Sequence, residues 1–314
     1  MLRSPILAAA RNRRLERLVT HAPVSRSVVR RFVGGADTAA AVEVARALVA
    51  DGLTVSLDHL GEDTSDRARA ADAVTAYVDV LQALDDAGLT ARLAPLTARA
   101  EVSVKLSAVG QALGDDGEKI ALDNARTICA RAREVGATVT LDMEDHTTTD
   151  STLTVLGELR RDFPDTGAVL QAYLKRTEGD CRDLAHPGSR VRLCKGAYDE
   201  PASVAFDRSL DVDRSYVRCA NVLLDGGGYP MFATHDPRLI EIVDDRARVK
   251  GHGDVEFQLL YGIRPDEQRR LAAAGNTVRV YVPYGSQWYG YLMRRLAERP
   301  ANLAFFARAL VSKG

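Results

Sequence analysis

The sequence contains neither GxGxxG nor GxxxxGK[ST]. The two common glycine-rich phosphate cradles are therefore excluded, and with them the usual fingerprint of a doubly wound dinucleotide-binding sheet. Cysteine is scarce: Cys129, Cys181, Cys194 and Cys219 show no CxxC spacing, no cluster and no histidine at a metal-ligand spacing. They read as reduced thiols, with no metal site and no disulfide framework. Net charge is nearly absent too, with 42 basic against 43 acidic residues. No global field draws the chain to nucleic acid, so an anionic ligand must be met by local groups. No segment approaches the ~20 apolar residues of a membrane span, and the opening MLRSPILAAARNRRLERLV lacks the apolar stretch of a secretory signal. The expected location is cytoplasmic, with contact at the inner face of the membrane at most.

What the chain does contain is a repeat. Short β-rich runs bounded by turn residues begin at 54 (TVSLDH), 102 (VSVKLS), 138 (TVTLDME), 168 (AVLQAYL), 190 (RVRLCKG), 229 (YPMFATH), 255 (VEFQLLYG) and 278 (VRVYVPYG). Ala- and Arg-rich helical stretches lie between them, among them 67–87, 118–135, 149–161, 201–225 and 236–248. Strand followed by helix requires a parallel sheet, and several of the runs are apolar nearly throughout, as strands covered on both faces should be. Eight such units close into an α/β barrel of the (βα)8, TIM type. No Pro/Gly/Ser-rich linker breaks the series, so residues 1–314 are read as one domain, with an N-terminal helical arm over 1–50 and the barrel over 51–314. Residues 1–34 hold eight arginines and one glutamate. A basic amphipathic stretch of this kind either caps one end of the barrel with a solvated arginine face or lies on an anionic membrane surface.

In such a barrel the functional groups gather at the C-terminal strand ends. There the chain offers Asp58, His59 and Glu62; Lys105; Asp142, Glu144, Asp145 and His146; Gln171, Lys175 and Arg176; Arg192 and Lys195; Thr234, His235 and Asp236; Gln258 and Tyr261; and Tyr281 and Tyr284. A lysine or arginine inside a core strand is costly unless it is paired or faces a cavity. Lys105, Asp142, Arg192 and Lys195 together therefore predict a polar pocket. After the last strand, Tyr291, Arg294 and Arg295 fall within about one helical turn. Two neighbouring guanidinium groups can clamp a carboxylate, although a double arginine on a helix is more often a solvated face.

From Asp58 to Asn302 the runs SLDHLGE, VSVKLSA, LDMEDH, LQAYLKRT, RLCKGAY, FATHDP, EFQLLYGIR and YVPYGSQWYGYLMRRLAERPAN resemble, in order, the strand-end motifs of proline dehydrogenases. The last is the most specific, since Tyr291, Arg294, Arg295 and Glu298 fit the family's Y-x-x-R-R-x-x-E pattern. The length resembles the stand-alone enzyme and not the bifunctional form. The resemblance implies FAD as cofactor, L-proline as substrate, pyrroline-5-carboxylate as product and a C-terminal helix over the barrel mouth. It further implies that Arg294, Arg295 and Lys105 hold the proline carboxylate, that Glu62 gates the site by pairing with the second arginine, and that Tyr281 packs on the substrate ring, with Tyr291 beside the clamp. Asp142 and Arg192 match the catalytic positions, the arginine near the flavin nitrogen that receives hydride. Met143, Gln171, Arg192, Lys195, Gly196, Ala197, Thr234 and His235 match the cofactor contacts. No metal is implied, a quinone is the expected electron acceptor, and Cys194 departs from the branched aliphatic residue expected before the flavin lysine. His59, Glu144, Asp145 and His146 receive no role.

Three other readings compete. Lys105 or Lys195 beside Asp142 would suit a Schiff-base lyase, but that leaves the double arginine unexplained. Asp142, Glu144, Asp145 and His146 suggest a metal-dependent hydrolase, yet alternation along a strand sends neighbours to opposite faces. A flavin or amino-acid binding protein without turnover is the third.

Overall fold

The computed structural model describes residue 29, residues 31–252 and residues 255–298, with side chains described as far as Met293 in the last stretch. Most of the basic segment over 1–34 lies outside the described residues. The first helix, α1 (Thr38–Ala50), leads into β1 (Thr54–His59), α2 (Arg67–Asp86), a small antiparallel hairpin of β2 (Arg92–Ala94) and β3 (Thr97–Ala98), and β4 (Ala100–Lys105). Regular alternation follows: α3 (Gly117–Glu134), β5 (Thr138–Asp142), α4 (Thr149–Asp162), β6 (Gly167–Gln171), α5 (Thr177–Leu184), β7 (Arg190–Cys194) and α6 (Ser209–Asp225). It ends with β8 (Tyr229–Ala233), α7 (Pro237–Val249), β9 (Glu256–Leu260), α8 (Pro265–Ala273), β10 (Thr277–Tyr284) and α9 (Trp288–Glu298). Helix starts are set where the sequence supplies caps. Asp37 and Asp66 accept from backbone N–H groups of the first turn, as does Asp236, which is followed by Pro237 at the first helical position.

All eight expected strands are present, and they close into a parallel barrel in the order β1-β10-β9-β8-β7-β6-β5-β4. This rules out the open doubly wound alternative. Closure is made by β10 against β1, in register from Thr54 opposite Arg279 to His59 opposite Tyr284. One expected helix is shorter than its pattern. The stretch predicted to be helical from 201 begins only at Ser209, because the backbone before it is engaged elsewhere: Val204 O accepts from Lys175 N and Phe206 N donates to Tyr173 O. The β2–β3 hairpin was not expected.

Every barrel strand obeys one alternation. Its outward residues are apolar and pack on the helices: Val55, Leu57, Val102, Val104, Val139 and Leu141 form one cluster with Tyr77, Leu81, Ile128 and Leu159. On the other side, Leu170, Val191, Leu193, Phe232, Phe257, Leu259 and Val280 pack with Tyr216, Leu223, Ile240 and Leu271. At ~1.5–3 kcal/mol per fully buried side chain, this outer ring is the main source of cohesion. The inward residues are mostly polar: Ser56 and Asp58, Glu101, Ser103 and Lys105, Thr140 and Asp142, Arg190 and Arg192, Glu256 and Gln258, and Arg279 are all buried. Barrels of this type ordinarily fill their interior with branched aliphatic side chains. No helix among the described residues is long and apolar enough to cross a membrane.

Candidate active site

The inward polar residues form two layers. At the floor, Glu101 lies between guanidinium groups. Its Oε2 accepts from Arg190 Nη2 and from Thr140 Oγ1 (2.8 Å), and its Oε1 accepts from Arg192 Nη2 (2.7 Å) and Ser56 Oγ (2.8 Å). Burial works to raise the Glu101 carboxyl, but Arg279, Arg190 and Arg192 outweigh it and hold the group well below the usual carboxylate range. Across the floor, Arg279 Nε donates to Glu256 Oε1 (2.7 Å), and its Nη1 and Nη2 donate to the carbonyls of Val55 and Ala98 (both 2.9 Å).

Above this floor, Arg192 Nη1 donates to Asp142 Oδ1 (2.7 Å) and Ser103 Oγ (3.0 Å), while the hydroxyl of Tyr281 donates to Asp142 Oδ2 (2.6 Å). Both oxygens of Asp142 are thereby engaged. Burial and the nearby Asp142 and Asp58 carboxylates push the Tyr281 phenol well up, so it remains a donor. Lys105 Nζ reaches both oxygens of Asp58 at 2.7 Å. Burial works to lower the lysine, yet Asp58, Asp142 and Glu62 outweigh it and hold the ammonium above its ordinary range. A lysine fixed in the charged form is a poor carbinolamine nucleophile, which argues against the Schiff-base reading.

At the rim, Lys195 is partly exposed and does not join this interior cluster as expected: its Nζ bridges Asp213 Oδ1 (2.6 Å) and Asp236 Oδ2 (3.1 Å). Gln171 Nε2 donates to Glu144 O (2.7 Å), and His235 Nε2 accepts from Leu260 N (2.9 Å), leaving the ring proton of a neutral imidazole on Nδ1. The loop after β7 is shaped by Gly196, whose φ of 105° and close approach to Tyr173 leave no room for a side chain: an added Cβ would lie 2.2 Å from the ring. The unassigned residues have structural partners. His59 meets Tyr77 and Tyr284 edge-on, Glu144 accepts from the N–H (3.1 Å) and Oγ (2.5 Å) of Ser107, Asp145 accepts from Thr147, and His146 pairs with the buried Glu200.

One cavity of about 770 Å³, within the size range of cofactor sites, opens over these groups. Glu62, Lys105, Asp142, Met143, Gln171, Arg192, Lys195, Gly196, Ala197, Thr234, His235, Tyr281 and Tyr291 all line it. Tyr291 belongs to α9 and is 7% exposed, which brings that helix to the wall of the cavity at the barrel mouth. Arg294 and Arg295 belong to the same helix, but their side chains lie outside the described residues. Sequence reasoning missed three lining residues with clear partners: Asp58 as the counter-ion of Lys105, and Asp213 and Asp236 as those of Lys195. Only Asp58 and Asp236 carried a signal, as acids at strand ends. The cavity offers donors for an anionic, hydrogen-bonding ligand, and Arg192 Nε is buried with no hydrogen-bond partner among the described residues. The described residues include no group of three or more His, Cys, Asp and Glu placed to hold a metal ion.

Comparison with known proteins bears on the family and the fold. The family model described as proline dehydrogenase matches residues 41–308. The proline dehydrogenase of Deinococcus radiodurans is 39% identical over 317 residues, covering 99% of this chain and 98% of that protein. Proline dehydrogenase 1 of Bacillus subtilis is 35% identical, with 100% of each chain covered. Among solved structures, proline utilization A from Bdellovibrio bacteriovorus, inactivated by N-propargylglycine, superposes with a TM-score of 0.79 at 23% identity, a likeness of fold. A variant of Bradyrhizobium japonicum proline utilization A superposes with a TM-score of 0.72 at 26% identity. These structures are much longer: the match covers 99% and 91% of this chain but 40% and 32% of theirs.

Proposed function

The chain belongs to the proline dehydrogenase family, and on that premise we propose that it oxidises L-proline to pyrroline-5-carboxylate by hydride transfer to FAD, the first step of proline catabolism towards glutamate. The observation that carries the reading is the buried set of Lys105, Arg192 and Asp142, with the partly buried Tyr281, at the strand ends beneath a cofactor-sized cavity. FAD, when bound, supplies the hydride acceptor. The residues present fit it: Arg192 Nε is a buried donor in want of an acceptor, and Gln171, Lys195, Thr234 and the backbone around Gly196 and Ala197 line the same wall.

Each protein group then has a physical task. Lys105, with Arg294 and Arg295 from α9, meets the substrate carboxylate, and fixing one end of proline leaves its ring a single way to lie. Such positioning is worth several kcal/mol of barrier, up to ~10. Tyr281, held upright by Asp142, forms the wall against the ring. Asp142 aligns Arg192 and Tyr281, because both its oxygens are already engaged. Arg192 and Lys195 offset the negative charge that accumulates on the acceptor during hydride arrival. Glu62 serves as gate. A membrane quinone is the proposed onward acceptor, which would give the basic segment over 1–34 a surface to meet.

The deciding experiment is the visible spectrum of the purified protein before and after anaerobic addition of L-proline. Flavin bands that bleach support the reading, and flavin that stays oxidised defeats it. Arg192→Met should slow single-turnover bleaching by about 10²–10³-fold, the scale for losing one preorganised donor at a developing charge, while FAD remains bound. An unchanged rate would remove Arg192 from the chemistry. Arg294→Met and Arg295→Met should each raise the half-saturating proline concentration steeply, and wild-type kinetics in either would refute its part in the clamp.

A further inference from the structure

The interior of the barrel holds four cations, Lys105, Arg190, Arg192 and Arg279, and four anions, Asp58, Glu101, Asp142 and Glu256, each at most 8% exposed. Buried ion pairs stabilise a fold no better than well-packed apolar side chains of the same volume, so each pair asks for a separate reason. Arg279 and Glu256 brace the closing strand, since the arginine also donates to backbone carbonyls at Val55 and Ala98. Asp58 and Asp142 serve side chains that line the cavity. Glu101 fits neither account. It is fully buried and is not among the residues lining the cavity, yet it divides its carboxylate between Arg190 of the floor and Arg192 of the cavity.

The consequence for Arg192 is geometric. Its Nη2 is taken by Glu101 from below and its Nη1 by Asp142 and Ser103 from the side, so the guanidinium plane is fixed from two directions. The N–H left over is Nε, which has no partner among the described residues. Glu101 is also one of the two anions paired with this arginine, in a barrel whose eight buried charges cancel only when it is counted. We infer that Glu101 is the positioning residue for Arg192, setting both the direction in which that arginine donates and the net charge that it presents to a flavin in the cavity. Its strongly ionised state makes that charge constant across ordinary pH. The inference rests on the flavin reading above.

The test uses the FAD-loaded protein and two variants. Glu101→Gln removes one negative charge next to Arg192. The site becomes more positive, the reduced cofactor is favoured, and the flavin midpoint potential shifts upward. Thr140→Val keeps the carboxylate but removes a hydroxyl that donates to it at 2.8 Å, so the negative charge on Glu101 is less offset and the potential shifts downward. In Glu101→Gln, single-turnover reduction by proline should also slow by about 10²-fold through loss of aim, with the proline dissociation constant little changed. Opposite shifts from the two variants establish the role, because a merely structural glutamate would not move the potential in a signed way. Potentials at the wild-type value in both overturn it. If Glu101→Gln does not fold, Thr140→Val decides alone: a downward shift supports the role and an unmoved potential overturns it. Wild-type protein that fails to bleach with proline would defeat the function reading, whereas a wild type that bleaches together with unmoved potentials defeats only the part given to Glu101.

Discussion

Glu144 shows how much one buried carboxyl can weigh. Burial pushes it up to about 7 from an ordinary 4.5, although the hydroxyl and N–H of Ser107 work to lower it. The folded protein thus holds this proton more tightly than the unfolded chain does. The stability that the group contributes is complete below about pH 4.5 and is lost as pH rises through about 7, a swing of about 3 kcal/mol. Glu144→Gln should therefore unfold with a flatter pH dependence across that window and be more stable than the parent at pH 8; urea midpoints at pH 4.5, 6 and 8 would check it. A parent whose stability rises over the same window would contradict the assignment. At this scale the sequence was informative about cations and poor on their partners. Lys105, Asp142 and Arg192 stand out because a charge within a core strand needs a reason. Nothing in the sequence alone pairs Lys105 with Asp58, 47 residues away, or Arg192 with Glu101, 91 residues away, because those pairings depend on strand register across the barrel.

Among elements, the loop between β7 and α6 is where pattern and structure part. Its sequence carries helix formers, yet its backbone serves Lys175 and Tyr173 in the β6 loop, and tertiary hydrogen bonds override local preference there. Gly196 at its start permits the close approach to Tyr173, whose hydroxyl donates to Glu200 (3.1 Å). Gly196→Ala should displace that ring or the loop and weaken cofactor retention by at least about tenfold, since a positive φ alone costs roughly 1 kcal/mol and the overlap adds to it. Fluorescence titration of apoprotein with FAD measures it, and unaltered affinity would show that the loop does not form the wall. The barrel strands were legible to within three residues, the largest miss being β6, whose run reads on to Leu174 where the strand ends at Gln171, because each outward face is apolar between turns. Their polar inward face, also plain in the sequence, pointed to a pocket but not to which charge pairs with which.

For the molecule as a whole, the feature that matters is closure. Arg279 on β10 joins Glu256 on β9 to the carbonyl of Val55 on β1 and that of Ala98 on β3. Arg279→Met should cost ~3–5 kcal/mol by leaving Glu256 buried and uncompensated, while Arg279→Met with Glu256→Met should recover most of that loss. Denaturant midpoints of the two variants test this, and a double variant no better than the single would show that the cost lies in the lost carbonyl contacts instead. The same closure bears on synthesis. The first barrel strand waits at Thr54 for a partner that begins at Thr277, and that partner brings Tyr281. At ~5–20 residues per second the ribosome needs roughly 10–50 s to span that interval. Throughout it, β1 has one open edge and the cavity lacks the wall that Tyr281 supplies, so the site takes shape only as the last strand of the barrel emerges.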